Sequence, residues 1–183
     1  MNSFYAKDRK EWREWLEKNH NKEKEVWFVF YKKASGKLSL PYNEAVEEAL
    51  CFGWIDGVVK KRDQDSTIQR FTPRRAKSNW SELNKERARR LIKSKLMTPY
   101  GIEALVGVDL SEKPVILSPE TEKALKTDPE VWKNYQAFDD LYKRLRIYYI
   151  EDAKKQKRME DYERRLNSFI KNTKKNKKFG TIL

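Results

Sequence analysis

The segment of residues 25–32, EVWFVFYK, constrains the fold more than any other stretch of the chain. It is β-branched and aromatic with almost no polar interruption, which is typical of a central strand covered on both faces. A buried strand needs hydrogen-bonded neighbours, and residues 54–62 and 67–72 have the composition of two further strands. The polar turn DQDS at residues 63–66 indicates a hairpin between them. The sequence therefore predicts a small antiparallel sheet.

Helical patterns flank these strands. Residues 8–19 carry Trp12, Trp15 and Leu16 at the i, i+3, i+4 spacing of an amphipathic helix. A second helix begins near Pro41, and Gly53 is well placed to end it as a residue in the left-handed conformation. We therefore expect the α+β class, a small antiparallel sheet packed with helices.

The chain beyond residue 78 has a helical pattern. The sequence NWSE at residues 79–82 is a capping pattern, and SPE at 118–120 and DPE at 128–130 each place a capping residue before a proline and an acid. The predicted organisation is an α+β domain of residues 1–107, a linker of residues 108–118, a helical C-terminal region of residues 119–171 and a basic flexible tail of residues 172–183.

Charge and the counts of two residue types limit the functional classes. Lys and Arg number 41 against 28 Asp and Glu, and residues 141–183 hold fourteen basic and five acidic side chains. Such a field attracts polyanions such as nucleic acid or anionic lipid. One cysteine allows no internal disulfide, and with one histidine there is no two-His metal pair, so we expect no metal and no cofactor. No signal peptide or transmembrane segment is apparent, which favours a cytoplasmic protein.

The motif ALCFGWIDG, residues 49–57, contains the only thiol of the chain. Catalysis by Cys51 would need a neighbouring base or cation to lower its pKa, and the only histidine, His20, lies at a charged helix end where we expect it to be solvated. A buried structural thiol is the favoured interpretation and a nucleophile the minor one. No Gly-rich phosphate loop, HExxH or Ser-His-Asp arrangement is present, so the sequence leans towards a protein that is not an enzyme.

Three stretches carry a family resemblance: LSLPYNEAVEEALCFGWIDGVVKKRD, IQRFTPRRAKSNWSELN and the C-terminal SPETEKALKTDPEVWKNYQAF. In them the chain resembles the YdeI/OmpD-associated, or bacteriocin-protection, proteins of bacteria and archaea. The resemblance implies an α+β fold with a helical C-terminal region and a role in stress or antimicrobial-peptide tolerance. The chain departs from the family pattern at residues 156–159. The matching positions are Lys33, Tyr42, Glu44, Ala45, Ala49, Leu50, Cys51, Gly53, Trp54, Ile55, Asp56, Gly57, Phe71, Pro73, Arg74, Ser78, Trp80, Ser81 and Asn84.

Asp56 is the first candidate site residue. A carboxylate in an apolar stretch must pair with a cation, accept hydrogen bonds or face solvent. Lys33 and Arg74 are candidate partners, and together with the rings of Trp54 and Trp80 they would suit an anionic or flat aromatic ligand. The alternative is an aspartate at a strand edge that pairs with a cation and has no functional role.

The loop Arg74-Arg75-Ala76-Lys77-Ser78 is the second candidate. Three cations and a hydroxyl ahead of a helix favour a phosphate or carboxylate site. The alternative is that Ser78 or Asn79 caps the helix while the cations remain solvated. The predicted ligand-binding residues are Lys33, Trp54, Asp56, Arg74, Arg75, Lys77, Ser78, Trp80 and Asn84.

Two functions therefore remain open. The first is a non-enzymatic protein that binds an anionic small molecule or phosphate-bearing ligand at these residues, with the family's implied role in tolerance. The second is a non-specific nucleic-acid-binding protein whose C-terminal lysines contact phosphates while aromatics such as Tyr148 stack on bases.

Overall fold

The computed structural model of the chain describes residues 3–76 and 78–180. The chain divides into two compact units, one of residues 1–79 and 86–109 and the other of residues 80–85 and 110–183. The division follows Asp109, so residues predicted as a linker contribute to the second unit. Since each unit has its own fold, the two are described separately.

The first unit is built on a four-stranded sheet in the order β1-β2-β4-β3. The strands are β1 (Ser3–Phe4), β2 (Val26–Tyr31), β3 (Trp54–Lys61) and β4 (Ser66–Pro73). β4 runs antiparallel to both β2 and β3, as the predicted hairpin requires, whereas β1 adds to β2 in parallel. The α+β class is confirmed, and the short strand β1 makes the sheet mixed.

Three helices belong wholly to this unit: α1 (Arg9–Asn19), α2 (Tyr42–Cys51) and the short α4 (Pro99–Glu103). Helix α3 (Glu82–Lys93) begins in the second unit and ends in the first. A 3₁₀ turn at Lys33–Ser35 follows β2. The α1 pattern is confirmed, since Trp12 and Leu16 are buried and Asp8 caps the helix by accepting from the Glu11 backbone N–H at 3.0 Å.

Aromatic side chains fill the core between the sheet and the helices. The ring of Trp12 meets those of Phe28 and Phe71 edge-on, with centroids 4.9 and 5.6 Å away. Trp12 Nε1 also donates to the Ala45 carbonyl at 3.0 Å, which fixes α1 against α2. Burying side chains of this size stabilises the fold by about 2 kcal/mol each, so a few aromatic rings offset the low fraction of apolar residues in the chain.

Glutamates of α2 surround an arginine of α1. Arg9 Nε donates to Glu44 at 2.9 Å, Nη1 to Glu48 at 3.1 Å, and Nη2 to Glu47. Arg13 adds a bond to Glu48 at 2.9 Å. Although burial lowers the pKa of Arg9, the hydrogen bonds that it donates to Glu47 and Glu44 hold that pKa above its ordinary value. This Arg9 network satisfies the otherwise costly carboxylates of Glu47 and Glu48, which are buried.

Helix α2 ends where the sequence predicted. Gly53 has φ +72°, the left-handed conformation that a residue with a side chain adopts only under strain. Helix α4 packs on this end so closely that a Cβ at Gly101 would lie 2.4 Å from the Cys51 carbonyl oxygen. The Thr98 backbone N–H donates to that same carbonyl at 3.1 Å. The end of α2 is therefore covered.

The second unit is helical. Its helices are α5 (Pro119–Lys126), α6 (Pro129–Ala137), α7 (Asp140–Lys155) and α8 (Met159–Lys174). The two predicted proline-led starts are confirmed, with Ser118 and Asp128 accepting hydrogen bonds from the first-turn backbone. The core is aromatic and aliphatic, formed by Leu125, Val131, Tyr135, Phe138, Tyr142, Ile147, Ile150, Ala153, Tyr162, Leu166 and Phe169.

Residues 175–180, which follow α8, fold back onto this core, while residues 181–183 of the predicted tail lie outside the described residues. The backbone N–H of Phe179 donates to the Tyr142 hydroxyl at 3.1 Å, and the Phe179 ring lies 6.5 Å from that of Phe169. Lys178 pairs with Asp139. The predicted flexible tail of residues 172–183 thus begins inside α8 and includes an apolar ring packed on the core, because Phe179 gains more from burial than from exposure.

Candidate functional site

The sheet register places Asp56 beside two neutral hydrogen-bond donors. Asp56 lies opposite Phe71 in the β3–β4 pair, which turns it towards the helix-covered face of the sheet. Its Oδ2 accepts from the Tyr42 hydroxyl at 2.8 Å and from Gln69 Nε2 at 2.8 Å. Tyr42 opens α2 and Gln69 lies in the middle of β4, so elements distant in sequence assemble this site.

The second carboxylate oxygen of Asp56 is not used in this arrangement. Within residues 3–76 and 78–180 nothing donates a hydrogen bond to Oδ1, and the side chain is half-buried. A carboxylate has about four lone-pair sites, of which two are occupied on Oδ2. Asp56 can therefore accept a hydrogen bond from a ligand.

Tyr42 is suited to act as a donor. Burial and then the charge of Asp56 raise the pKa of Tyr42 to about 12. The hydroxyl consequently keeps its proton at any physiological pH, and with Gln69 it holds the Asp56 carboxylate in one orientation.

Two arginines supply the positive charge of the site. Arg74 follows β4, and its Nη2 donates to the Asn79 carbonyl at 2.9 Å. Burial lowers the pKa of Arg74 to about 10, and the Asp56 carboxylate opposes that change. Arg87 of α3 is buried and donates to Asn43 Oδ1 at 2.8 Å; burial lowers its pKa as well, with Tyr42, Glu47 and Asp56 acting the other way. A guanidinium keeps its proton in proteins, so both side chains are cations.

These side chains form what we call the Asp56 site, comprising Tyr42, Asp56, Gln69, Arg74 and Arg87. It combines a fixed acceptor with two guanidinium groups, one of them buried. Such a combination suits a small anion that also carries a hydroxyl or amino donor.

The other predicted site residues lie in different surroundings. Trp54 is in the core, 1% exposed, and donates to the His20 carbonyl at 3.1 Å. Lys33 and Arg75 are exposed, and neither forms an ion pair with Asp56 within the described part of the chain. Trp80 and Asn84 belong to the second unit. Lys77 lies outside the described residues.

The loop before α3 differs from the predicted capping arrangement. The helix begins at Glu82, four residues after Ser78, and Ser81 Oγ accepts from the Asn84 backbone N–H at 3.3 Å. Ser78 is not the cap, because the chain between Arg74 and Asn79 turns before the helix starts. Its hydroxyl oxygen is buried and has no hydrogen-bond partner among residues 3–76 and 78–180.

Tyr42, Gln69 and Arg87 were missed as site residues by sequence reasoning. Tyr42 had been singled out within the family motif, although without a role. Gln69 is buried in β4, STIQRFTP, and buried polar side chains are usually hydrogen-bonded. Because polar residues recur along that strand, its sequence does not single out Gln69, and the placement of Arg87 depends on packing that no local pattern shows.

Cys51 and His20 have structural surroundings. Cys51 is fully buried, and burial, assisted by Glu48, raises the pKa of its thiol to about 12. A thiol in that state is a poor nucleophile, in agreement with the favoured interpretation of the sequence. His20 is not solvated as expected: its ring lies 4.0 Å from that of Tyr100, and Nδ1 is 2.8 Å from the Leu16 carbonyl oxygen.

Comparison with known proteins finds a family model that matches each part of this α+β chain. The chain belongs to the family described as a domain of unknown function (DUF8412), whose model matches residues 4–104. Residues 114–176 match the model described as Bacteriocin-protection, YdeI or OmpD-Associated, so the predicted resemblance is confirmed for that segment. The motifs at residues 38–63 and 68–84 lie within the DUF8412 match. No curated protein and no solved structure matches the chain.

None of the helices in residues 3–76 and 78–180 is both long and apolar enough to cross a bilayer. In the same residues, no group of three or more His, Cys, Asp or Glu side chains is placed to hold a metal ion.

Proposed function

We propose that the protein is a non-enzymatic binding protein for a small anion, and that its ligand occupies the Asp56 site. The observation that carries this proposal is the fixed Asp56 carboxylate, oriented by Tyr42 and Gln69 through one oxygen only, next to the guanidinium of Arg74. A ligand with a phosphate or carboxylate group and a hydroxyl would match this acceptor and these cations.

The family names support a biological setting for this binding. The C-terminal segment matches the bacteriocin-protection, YdeI or OmpD-associated model. A role in stress or antimicrobial-peptide tolerance follows as a proposal from that name. Because the chain and cationic peptides are both positively charged, protection would act indirectly, through the bound anion.

A thermal-shift series with mononucleotides and sugar phosphates, at low and high salt, tests the proposal. We expect one small ligand to raise the melting temperature in a salt-resistant manner, because a desolvated site is weakly screened. The shift is lost in Arg74→Ala and retained in Arg75→Ala, a matched control at the neighbouring exposed arginine. A ligand-induced shift that survives Arg74→Ala contradicts the assignment.

The exposed lysines at the end of the chain favour a second candidate, non-specific nucleic-acid binding. Lys174 and Lys178 pair with Asp128 and Asp139, whereas Lys171, Lys175 and Lys177 are exposed and form no ion pair within the described residues. Replacing these three with alanine should reduce both affinity for oligonucleotides and its dependence on salt. Arg74→Ala should leave that affinity unchanged, which separates the two candidates.

A further inference from the structure

Arg146 of α7 is a buried cation in the second unit. Its side chain lies between two rings, with Cζ 4.5 Å from the Phe179 centroid and 5.1 Å from that of Tyr149. The residue is 9% exposed. The Gly180 backbone also lies against the guanidinium, since a Cβ at Gly180 would come within 2.4 Å of Arg146 Nη1. Three groups thus enclose the guanidinium.

No carboxylate of the described residues neutralises this guanidinium. Within residues 3–76 and 78–180, Arg146 has no ion pair, and its Nε is buried without a hydrogen-bond partner. Both burial and the nearby charge of Arg165 lower the pKa of Arg146. Its surroundings therefore disfavour the charge that it carries.

Arg165 of α8 is the second cation at this place. Its Cζ is 3.8 Å from the Tyr149 ring centroid, and Nη1 donates to the Tyr149 carbonyl at 2.6 Å. Its Nε is also buried and has no partner among the described residues. Tyr149 is thus in contact with two guanidinium groups, although the residue is 44% exposed.

A bound anion would lower the free energy of this arrangement. Burying a charge without a counter-charge costs several kcal/mol, and two like charges near one ring add repulsion. A cation–π contact stabilises the arrangement by about 0.5–2 kcal/mol, but it does not neutralise the charge. A ligand anion would remove the repulsion and occupy the donor groups that have no acceptor.

We propose that Arg146 and Arg165 form a binding site for a phosphate group, which we call the Arg146–Arg165 site. A guanidinium offers N–H donors in a planar fork that matches phosphate oxygens, and two such groups match the charge of a dianion. The exposed Tyr149 ring borders the site, so the phosphate reaches it from solvent. The site lies within the segment that matches the YdeI/OmpD-associated model and is independent of the Asp56 site.

Titration with inorganic phosphate at constant ionic strength, with chloride as the replaced anion, tests the site. Calorimetry and thermal unfolding are measured on the full chain in parallel. We expect phosphate to raise the melting temperature of the wild type, and Arg165→Met to weaken phosphate binding at least tenfold. Arg164→Met is the matched control, because Arg164 is the neighbouring arginine of α8 and pairs with Asp161 at the surface.

Two further variants complete the experiment. Arg146→Met is expected to lose phosphate binding as Arg165→Met does; should it fail to fold, Arg165→Met alone decides. All titrations are repeated in an Arg74→Ala background, in which the Asp56 site is disabled and the effect of Arg165→Met must persist. The proposal is overturned if phosphate stabilises the wild type no more than chloride does, or if Arg164→Met and Arg165→Met weaken binding equally.

Discussion

Arg9 in the first unit and Arg146 in the second are arginines in opposite situations. Arg9 is partly exposed and donates to Glu44, Glu47 and Glu48, which hold its pKa high in spite of burial. Arg146 is more deeply buried, packs against rings, forms no ion pair among the described residues, and has a lowered pKa. The comparison shows that burial alone does not define the role of an arginine. That role is defined by the presence or absence of an opposing carboxylate.

The largest expected effect is for Arg9, whose charge is neutralised by glutamates. Arg9→Met leaves the buried carboxylate of Glu47 without its cation, and Glu48 with Arg13 alone. We expect a loss of about 3 kcal/mol in the free energy of unfolding, at the low end for a broken buried pair because Arg9 is partly exposed. Chemical denaturation measures it.

Lys10→Met is the control for that prediction. Lys10 is the next residue of α1, is 84% exposed, and lies 3.9 Å from Glu14. Its replacement should change the stability by less than about 0.5 kcal/mol. Equal losses in the two variants would show that the Arg9 network is not what holds α1 to α2.

A kinetic test concerns Cys51, the thiol beside the Arg9 network. Because Cys51 is fully buried and its thiol pKa is raised to about 12, reaction with a disulfide reagent should be at least about a hundredfold slower in the native protein than in urea. Absorbance of the released thiolate gives both rates. Rapid reaction of the folded protein would restore the nucleophile interpretation that the sequence had left open.

Arg146→Met is expected to change the stability much less than Arg9→Met. Methionine keeps much of the contact with Phe179 and Tyr149, while the cost of a buried charge is removed. In buffer without phosphate we therefore expect the stability to change by no more than about 1 kcal/mol in either direction, measured by the same denaturation. A loss as large as that of Arg9→Met would mean that the Arg146 charge is already neutralised within the fold.

The smallest expected effect concerns the segment that covers Arg146. The hydrogen bond from Lys178 holds the pKa of Asp139 below its ordinary value of 3.8. A lowered carboxylate pKa contributes stability above pH 3.8 that is lost as the pH falls through the lowered value. Lys178→Met should therefore cost about 0.5 kcal/mol near neutral pH, since the pair is exposed, and nothing once Asp139 is protonated.

Lys177→Met is the matched control for this pH dependence. Lys177 is exposed and forms no ion pair within the described residues. Urea midpoints followed from about pH 7 downwards should therefore differ from the wild type only for Lys178→Met, and that difference should disappear as the pH falls through the lowered pKa of Asp139. A difference that persists in acid would show that Lys178 acts through packing.

Local patterns predicted most of the fold. The strand β2, the β3–β4 hairpin, the helix stop at Gly53 and the proline-led starts of α5 and α6 each depend on residues adjacent in sequence. The two-residue strand β1 could not be predicted, because so short a segment is a strand only through its pairing with β2.

The candidate sites were predicted less completely because their members are distant in sequence. Asp56 and Arg74 were identified, but their neighbours depend on the β3–β4 register, which shifts between Asp56 and Val59, and on the packing of α3. The setting of Arg146 depends on the chain after α8 folding back to place Phe179 against it. The basic composition of that segment had indicated a flexible tail.

Nuclear magnetic resonance of arginine side chains during a phosphate titration compares the two situations in one experiment. The Nε–Hε signals of Arg146 and Arg165 should shift and saturate, since both Nε groups lack a partner among the described residues. Those of Arg9 and Arg13 should stay in place, because glutamates already neutralise them. Shifts of equal size at Arg9 and Arg146, or no shift at Arg146, would contradict the assignment of Arg146 and Arg165 as a phosphate site.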